Sequence, residues 1–389
     1  MQEAVLLTGS LGLGHEMMAR CCASLLDQSG WQTRSVDSMS LLGRRSGGAG
    51  ERVFGRLVAM PGLYDGLHFA HLRTGSRLAG LMARAASARL VPALQADLDR
   101  QPADLLLSVF ATGATAAGQV KARRPALRTV VLCTDVTVHR IWAAPGTDLF
   151  LVTSPAAEAS VRRYLPRAMV AVVPPPVRAE FYAAPSQAKA RAALGVPPGE
   201  FCVLVIDSGW GFGPLTATVA ELAAAGAHVL AVAGRDQAVE QRFRALARET
   251  PRVIPFGFTD RVPELMAAAD LVVALPGATT CSEARVVGRQ LLLLDVMPGH
   301  GRDNLLHELE LGGAHVAQPT ARGLTESALA VRDEVMSTPG PAKPPPRWEP
   351  AYAAALRQIG VDLHLPVPAT PPGPAPGPGP AATVTEGAA

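Results

Sequence analysis

The sequence predicts an α/β protein built from two doubly wound, parallel-sheet domains facing a central cleft. Three observations lead there. Runs of four to six apolar residues alternate with helical stretches, the pattern of parallel strands covered on both faces. The rhythm runs through residues 4–173 and starts again at 202–294, on either side of a proline-rich join. Glycine-rich turns also follow the first strand of each half, at the carboxyl ends of strands where open α/β sheets bind ligands.

A chain of 389 residues is long enough for two domains. Hydrophobic residues make up 48% and aromatic residues 5%, so the cores must be built from Ala, Val and Leu. A net charge of +3 argues against a bulk nucleic-acid binder. The five cysteines include no CxxC pair, which fits a reducing compartment and no zinc knuckle. The N-terminus has no basic flank before its apolar run, and no uncharged apolar stretch is long enough for a spanning helix. The chain is therefore read as cytoplasmic.

The first domain is placed at 1–178. It opens with the strand AVLLTG from residue 4 and a glycine turn running into a helix, and Asp37 ends the next strand. Residues 41–91 form an insertion with eight arginines, only two acids, and interleaved Leu, Val, Phe and Tyr. It reads either as a solvated amphipathic insertion or as a patch that touches anionic lipid headgroups. Strands LLLSVF (105–110), TVVLC (129–133), LFLVT (149–153) and VAVV (170–173) follow. Asp97-Leu98-Asp99 ends an amphipathic helical run, which makes it a solvated helix end and not a metal site.

The second domain, 200–338, repeats the pattern with CVLVI (202–206), HVLAVA (228–233), RVIP (252–255), LVVA (271–274) and QLLLL (290–294). PGPAKPPP is then a linker, and 347–361 a helix. The Pro/Gly/Ala tail at 366–389 cannot bury enough surface to fold.

The first glycine turn, TGSLGLGH (8–15), contains Gly12 and Gly14. It does not complete a dinucleotide fingerprint, because Met17 stands where a small residue is needed. His15 instead falls in the first helical turn. The positive end of a helix favours the neutral imidazole, which accepts a proton at neutral pH. A histidine that merely caps its own turn is the alternative.

Three turns of the second half line up in strand order. DSGWGFGP (207–214) carries Gly209, Gly211 and Gly213, whose bare amides at a helix start suit a diphosphate. PGATTCSEARVVG (276–288) delivers Thr279 and Thr280 to a helix start. Glu283 lies one turn further in, where it suits the two hydroxyls of a ribose. A capping box built from one of these threonines and Glu283 is compatible with that reading. MPGHGRDN (297–304) brings His300, Asp303 and Asn304 to a strand end. Arg178 and Arg235 place positive charge near the same edge and could pair with a diphosphate.

These strings resemble glycosyltransferases of the GT-B fold, with two Rossmann-like domains. The resemblance is to the monogalactosyldiacylglycerol synthase family and its processive diacylglycerol glucosyltransferase relatives, with the peptidoglycan GlcNAc transferase a more distant cousin. It rests on GLGH (12–15), TDVTVHRIW (134–142), PPPVRAEF (174–181), GWGFGP (209–214), GRD (234–236), GFTDRVPELMAAADLVVALPGATTCSEA (257–284) and PGHGRDN (298–304). It implies metal-independent, inverting transfer of a hexose from a UDP-sugar to a lipid such as diacylglycerol, with no cofactor. The second domain would hold the UDP-sugar, with Arg178 and the 209–213 loop at the diphosphate. Phe258 would meet uracil, Glu283 the ribose, and His300 with its neighbours the sugar.

Under the same resemblance, the first domain would bind the acceptor around Gly12, Gly14, His139 and Trp142. The helix around 347–360 would cross back onto it. Three positions depart from the family pattern. Ser10 stands where plant synthases carry an acid, so His15 is the first candidate for the base and Asp135 the second. Gly277-Ala278 replaces a Gly-Gly, and His300-Gly301 replaces a sugar-contacting Gln-Glu. Transfer to a small natural product, or a degenerate binder of nucleotide or lipid, are the competing functions.

Overall fold

A computed structural model describes residues 2–9, 13–42, 68–72, 74, 76–133, 135–206, 214–296, 299–337 and 345–365. Most of the 41–91 stretch, Gly12, the glycines at 209, 211 and 213, and the 366–389 tail lie outside the described residues. In the first domain the strands are β1 (Glu3–Thr8), β2 (Gln32–Asp37), β3 (Leu105–Ser108), β4 (Arg128–Leu132), β5 (Leu149–Val152) and β6 (Val170–Val172). They form one parallel sheet ordered β2-β1-β3-β4-β5-β6. β3, β4 and β5 are almost wholly buried, which explains why they read as unbroken apolar runs and not as alternating ones.

Four helices of this domain are α1 (Leu13–Gln28), α2 (Arg77–Arg100), α3 (Ala111–Lys121) and α4 (Pro155–Tyr164). α1 sends Met18, Cys22, Leu25 and Leu26 into a core with Leu6, Leu105 and Leu107. α2 and α3 cover the other face through Leu90, Leu94, Ala117 and Val120. α2 continues without a break through Pro92, extending the basic stretch into the core as a single helix. Asp97, near its end, pairs with Arg34 at 2.7 Å, and Asp99 pairs with Arg124.

Two short helices join the domains, α5 (Ala179–Tyr182) and α6 (Gln187–Leu194). The second sheet holds β7 (Cys202–Ile206), β8 (His228–Val232), β9 (Val253–Phe256), β10 (Leu271–Ala274), β11 (Gln290–Leu294) and β12 (Ala314–Ala317). Its order is β12-β11-β10-β7-β8-β9, again all parallel. β12 is absent from the sequence reading. It is a short edge strand, AHVA, with only one of its four residues buried and without a long apolar run.

The covering helices are α7 (Leu215–Ala224), α8 (Gln237–Glu249), α9 (Val262–Ala268), α10 (Ala278–Val287), α11 (His300–Glu310), α12 (Ala321–Ala330) and α13 (Arg332–Ser337). α7, α8 and α12 pack on one face, and α9, α10 and α11 on the other. α14 (Glu349–Arg357) returns to the first domain. Trp348, Tyr352 and Leu356 join the core made by α1 and β1, and the Trp348 indole N–H donates to the Val177 carbonyl at 2.9 Å.

Each sheet reverses its winding once, between β1 and β3 and between β7 and β10. Open α/β sheets bind ligands at such switch points. The turns at these two reversals meet across the domain boundary: α1 packs against α10, and the Thr279 hydroxyl donates to the Gly14 carbonyl at 3.4 Å.

Candidate functional site

The site grows from the β1–α1 turn. Gly9 is there because the Phe110 ring lies against it, and a Cβ at Gly9 would sit 2.5 Å from that ring. A Cβ at Gly14 would lie 3.1 Å from the Thr279 hydroxyl of the other domain. The close approaches that these glycines permit are thus made by protein, one from β3's end and one across the cleft.

His15, two residues into α1, bridges the first switch point. Its Nδ1 lies 2.8 Å from the Val109 carbonyl, and its ring stands edge-on to Phe110 at 5.1 Å. A carbonyl only accepts, so Nδ1 carries the proton and Nε2 is the basic nitrogen. Burial lowers the His15 pKa below its ordinary value. Asp135 and the Val109 hydrogen bond oppose the fall, and His300 adds to it.

Asp135 follows β4. The Trp142 indole N–H donates to its Oδ2 at 2.8 Å, and His139 Nε2 lies 3.9 Å from the same oxygen. Burial alone would push this carboxyl up. His300, His139, the Trp142 hydrogen bond and His15 together outweigh it and hold the pKa below the usual carboxylate value. Burial drives His139 down to about 4, with Asp135 opposing and His68 and His300 contributing to the fall. Trp142 is only 2% exposed. Its indole N–H is engaged with Asp135, which it orients.

The second domain contributes the start of α11. Gly299, at φ 66°, is the N-cap, a left-handed conformation that lets the chain turn directly into His300. One turn on, Asp303 Oδ2 accepts from the Thr137 hydroxyl at 2.5 Å, and Asn304 Oδ1 accepts from the Val136 N–H at 3.2 Å. His68 is wholly buried at this junction, with Nε2 3.7 Å from Asp303 Oδ2. Its ring centroid is 6.1 Å from that of His139 and 6.3 Å from that of His300. Four of the chain's nine histidines thus gather around Asp135 and Asp303.

Besides His300, Asp303 and Asn304, the described donor candidates fall into three sets. Arg178 and Glu283 pair with each other, Nε to Oε1 at 3.0 Å and Nη2 to Oε1 at 2.9 Å, and the guanidinium lies 4.7 Å from the Phe181 ring. Glu283 is 4% exposed, and burial pushes its pKa up to about 7 against the pull of Arg178. Arg235 stacks 4.9 Å over the exposed ring of Phe258. Thr279 and Thr280 sit in the first turn of α10. Its N-cap is Gly277, with no side-chain cap, so the capping-box reading of Thr279 or Thr280 with Glu283 is overturned. Among the described residues no group of three or more His, Cys, Asp or Glu side chains is placed to hold a metal ion.

The sequence reading missed His68. It stands in a segment read for its charge, and its partners Asp303, His139 and His300 are far away in sequence. The scarcity of histidine, nine in 389 residues, was the one available signal that any of them is placed for a purpose.

The chain is similar to known proteins in sequence and in fold. Residues 215–308 match the glycosyltransferase family 28 C-terminal domain. The chain is 35% identical over 159 residues to the UDP-N-acetylglucosamine–N-acetylmuramyl-(pentapeptide) pyrophosphoryl-undecaprenol N-acetylglucosamine transferase of Mycobacterium tuberculosis, covering 39% of this chain and 38% of that one. It is 26% identical over 196 residues to a probable chloroplastic monogalactosyldiacylglycerol synthase of Glycine max, covering 47% and 37%. It is 24% identical over 213 residues to the processive diacylglycerol beta-glucosyltransferase of Bacillus cereus, covering 52% and 53%. These matches span between about a third and a half of the relatives' lengths. The crystal structure of MurG from Acinetobacter baumannii superposes with a TM-score of 0.55 at 13% identity, over 86% of this chain and 94% of that one. The two-sheet architecture is the GT-B fold.

Proposed function

We propose that this GT-B chain, whose residues 215–308 match the glycosyltransferase family 28 C-terminal domain, moves a hexose from a UDP-sugar to the hydroxyl of a lipid acceptor, with inversion and without a metal ion. The observation that carries the reading is the placement of His15. It lies at the switch point of one sheet, with Nδ1 held by a carbonyl, beside His300 at the start of a helix from the other domain.

The acceptor hydroxyl enters between the sheets and gives its proton to His15 Nε2 as its oxygen bonds to the anomeric carbon. The bond from that carbon to the diphosphate breaks, and its electron pair leaves with UDP. Asp135, ionised at neutral pH, stabilises the imidazolium that forms. Charge growing on the diphosphate is met by the amide-rich start of α10 and by Arg178. Glu283 accepts the ribose hydroxyls, so donor binding exchanges its contact with Arg178 for the nucleotide. Phe258 and Arg235 form the stacked edge that meets uracil.

The lipid acceptor is supported by the named substrates of the Bacillus cereus and Glycine max relatives and by the arginine-rich character of residues 41–91. Part of that stretch is visible on α2, where Arg77, Leu81 and Arg84 lie on one exposed face. No helix among the described residues is long and apolar enough to cross a membrane. The test is a screen of UDP-hexoses against diacylglycerol in anionic vesicles, read by mass spectrometry. A hexosyl-diacylglycerol product and UDP are expected. UDP release only with small soluble acceptors would transfer the reading to a natural-product enzyme, and no product with any donor would leave only a binder.

A further inference from the structure

We propose that His68 is a positioning residue for the donor sugar: from the first domain it fixes the carboxylate of Asp303 in the second, and so sets which hexose is accepted. The inference rests on the reading of α11 as the sugar-facing helix. His68 belongs to the short described segment 68–72, outside either sheet, yet its side chain is wholly buried. Burying an imidazole is unfavourable unless its polar atoms meet compensating groups. Among the described residues it meets the carboxylate of Asp303, one turn into α11, and the rings of His139 and His300.

Two side chains of the first domain converge on one oxygen of Asp303. The Thr137 hydroxyl is 2.5 Å from Oδ2, and His68 Nε2 is 3.7 Å from it. At 3.7 Å the second contact is longer than a hydrogen bond, so His68 acts on the carboxylate by occupying the space beside Oδ2. His139 and His300 flank the imidazole edge-on and tilted, which limits how far it can swing. Thr137 and His68 therefore fix the rotation of the carboxylate. A carboxylate only accepts hydrogen bonds, and its rotation decides whether an axial or an equatorial sugar hydroxyl can reach it. Selection between hexoses that differ at one hydroxyl is the expected consequence, since a site built for one orientation leaves the other unpaired.

The test is the ratio of kcat/KM for UDP-glucose and UDP-galactose in the full-length protein with its lipid acceptor, together with UDP affinity by calorimetry. The wild type is expected to prefer one donor. His68→Ala and Thr137→Val should each collapse that preference by about tenfold or more while UDP affinity stays within about twofold, and Thr137→Ser should keep it. A merely structural role would lower both donors equally and leave the ratio unchanged. A folded His68→Ala with the wild-type ratio overturns the inference, as does a wild type with no preference. If His68→Ala does not fold, Thr137→Val beside Thr137→Ser decides the matter on the same ratio. A wild type that binds no UDP and turns over neither donor would instead refute the transferase reading itself.

Discussion

At the scale of single residues, the site is governed by burial acting on charge. His139 illustrates the consequence for stability. Its folded pKa is about 4, against 6.5 when exposed, so the unfolded chain takes up the proton first as pH falls. Its contribution is fully present above pH 6.5 and is lost progressively down to about pH 4, a fall of about 3 kcal/mol in unfolding free energy. Urea unfolding at pH 7 and pH 5 should show most of that loss, and His139→Asn should flatten the dependence. Glu283 runs the other way. Burial raises it to about 7, so its ionised form, the one proposed to accept ribose hydroxyls, is lost as pH falls through that value. UDP affinity measured from pH 8 to pH 6 should weaken with acid, and Glu283→Gln should bind more weakly with no such slope. His15 and Asp135 could be singled out in the sequence because each closely follows an apolar strand, and Glu283 and Asp303 because each lies early in a helix that follows one. The mutual pairing of Arg178 and Glu283 could not, because nothing local ties residues 105 positions apart.

At the scale of elements, the strands were the most readable part of the chain. β3, β7, β10 and β11 are short, apolar and buried on both faces, so composition alone marks them. β12 escaped because it is an edge strand with a histidine in the middle and only one of its four residues buried. The β1–α1 turn owes its glycines to steric contact. Gly9→Ala would push a methyl into the Phe110 ring and is expected to cost about 1–3 kcal/mol in chemical unfolding. α14, from the far end of the described chain, packs onto the first domain. Trp348 meets Tyr352 edge-on at 4.7 Å and is 3% exposed, within a core it shares with α1 and strands β1, β3, β4 and β5. Trp348→Ala should lower the stability of the first domain by about 3–5 kcal/mol, seen as an earlier loss of its near-ultraviolet signal.

At the scale of the whole molecule, two sheets that each reverse their winding once are set with those reversals facing. The cleft between them holds polar groups from both: His15, His68 and Asp135 from one side, His300, Asp303 and Asn304 from the other. The domain interface and the proposed chemical site are therefore the same place, and on that reading transfer needs both halves. The direct measurement of that claim is turnover of a UDP-hexose with lipid acceptor by the wild type and by His15→Ala, with UDP affinity measured on each. The account predicts that turnover falls by at least about 100-fold while UDP affinity stays within about twofold, because the imidazole handles the proton and the other domain grips the nucleotide. His15→Ala turning over near the wild-type rate would contradict it.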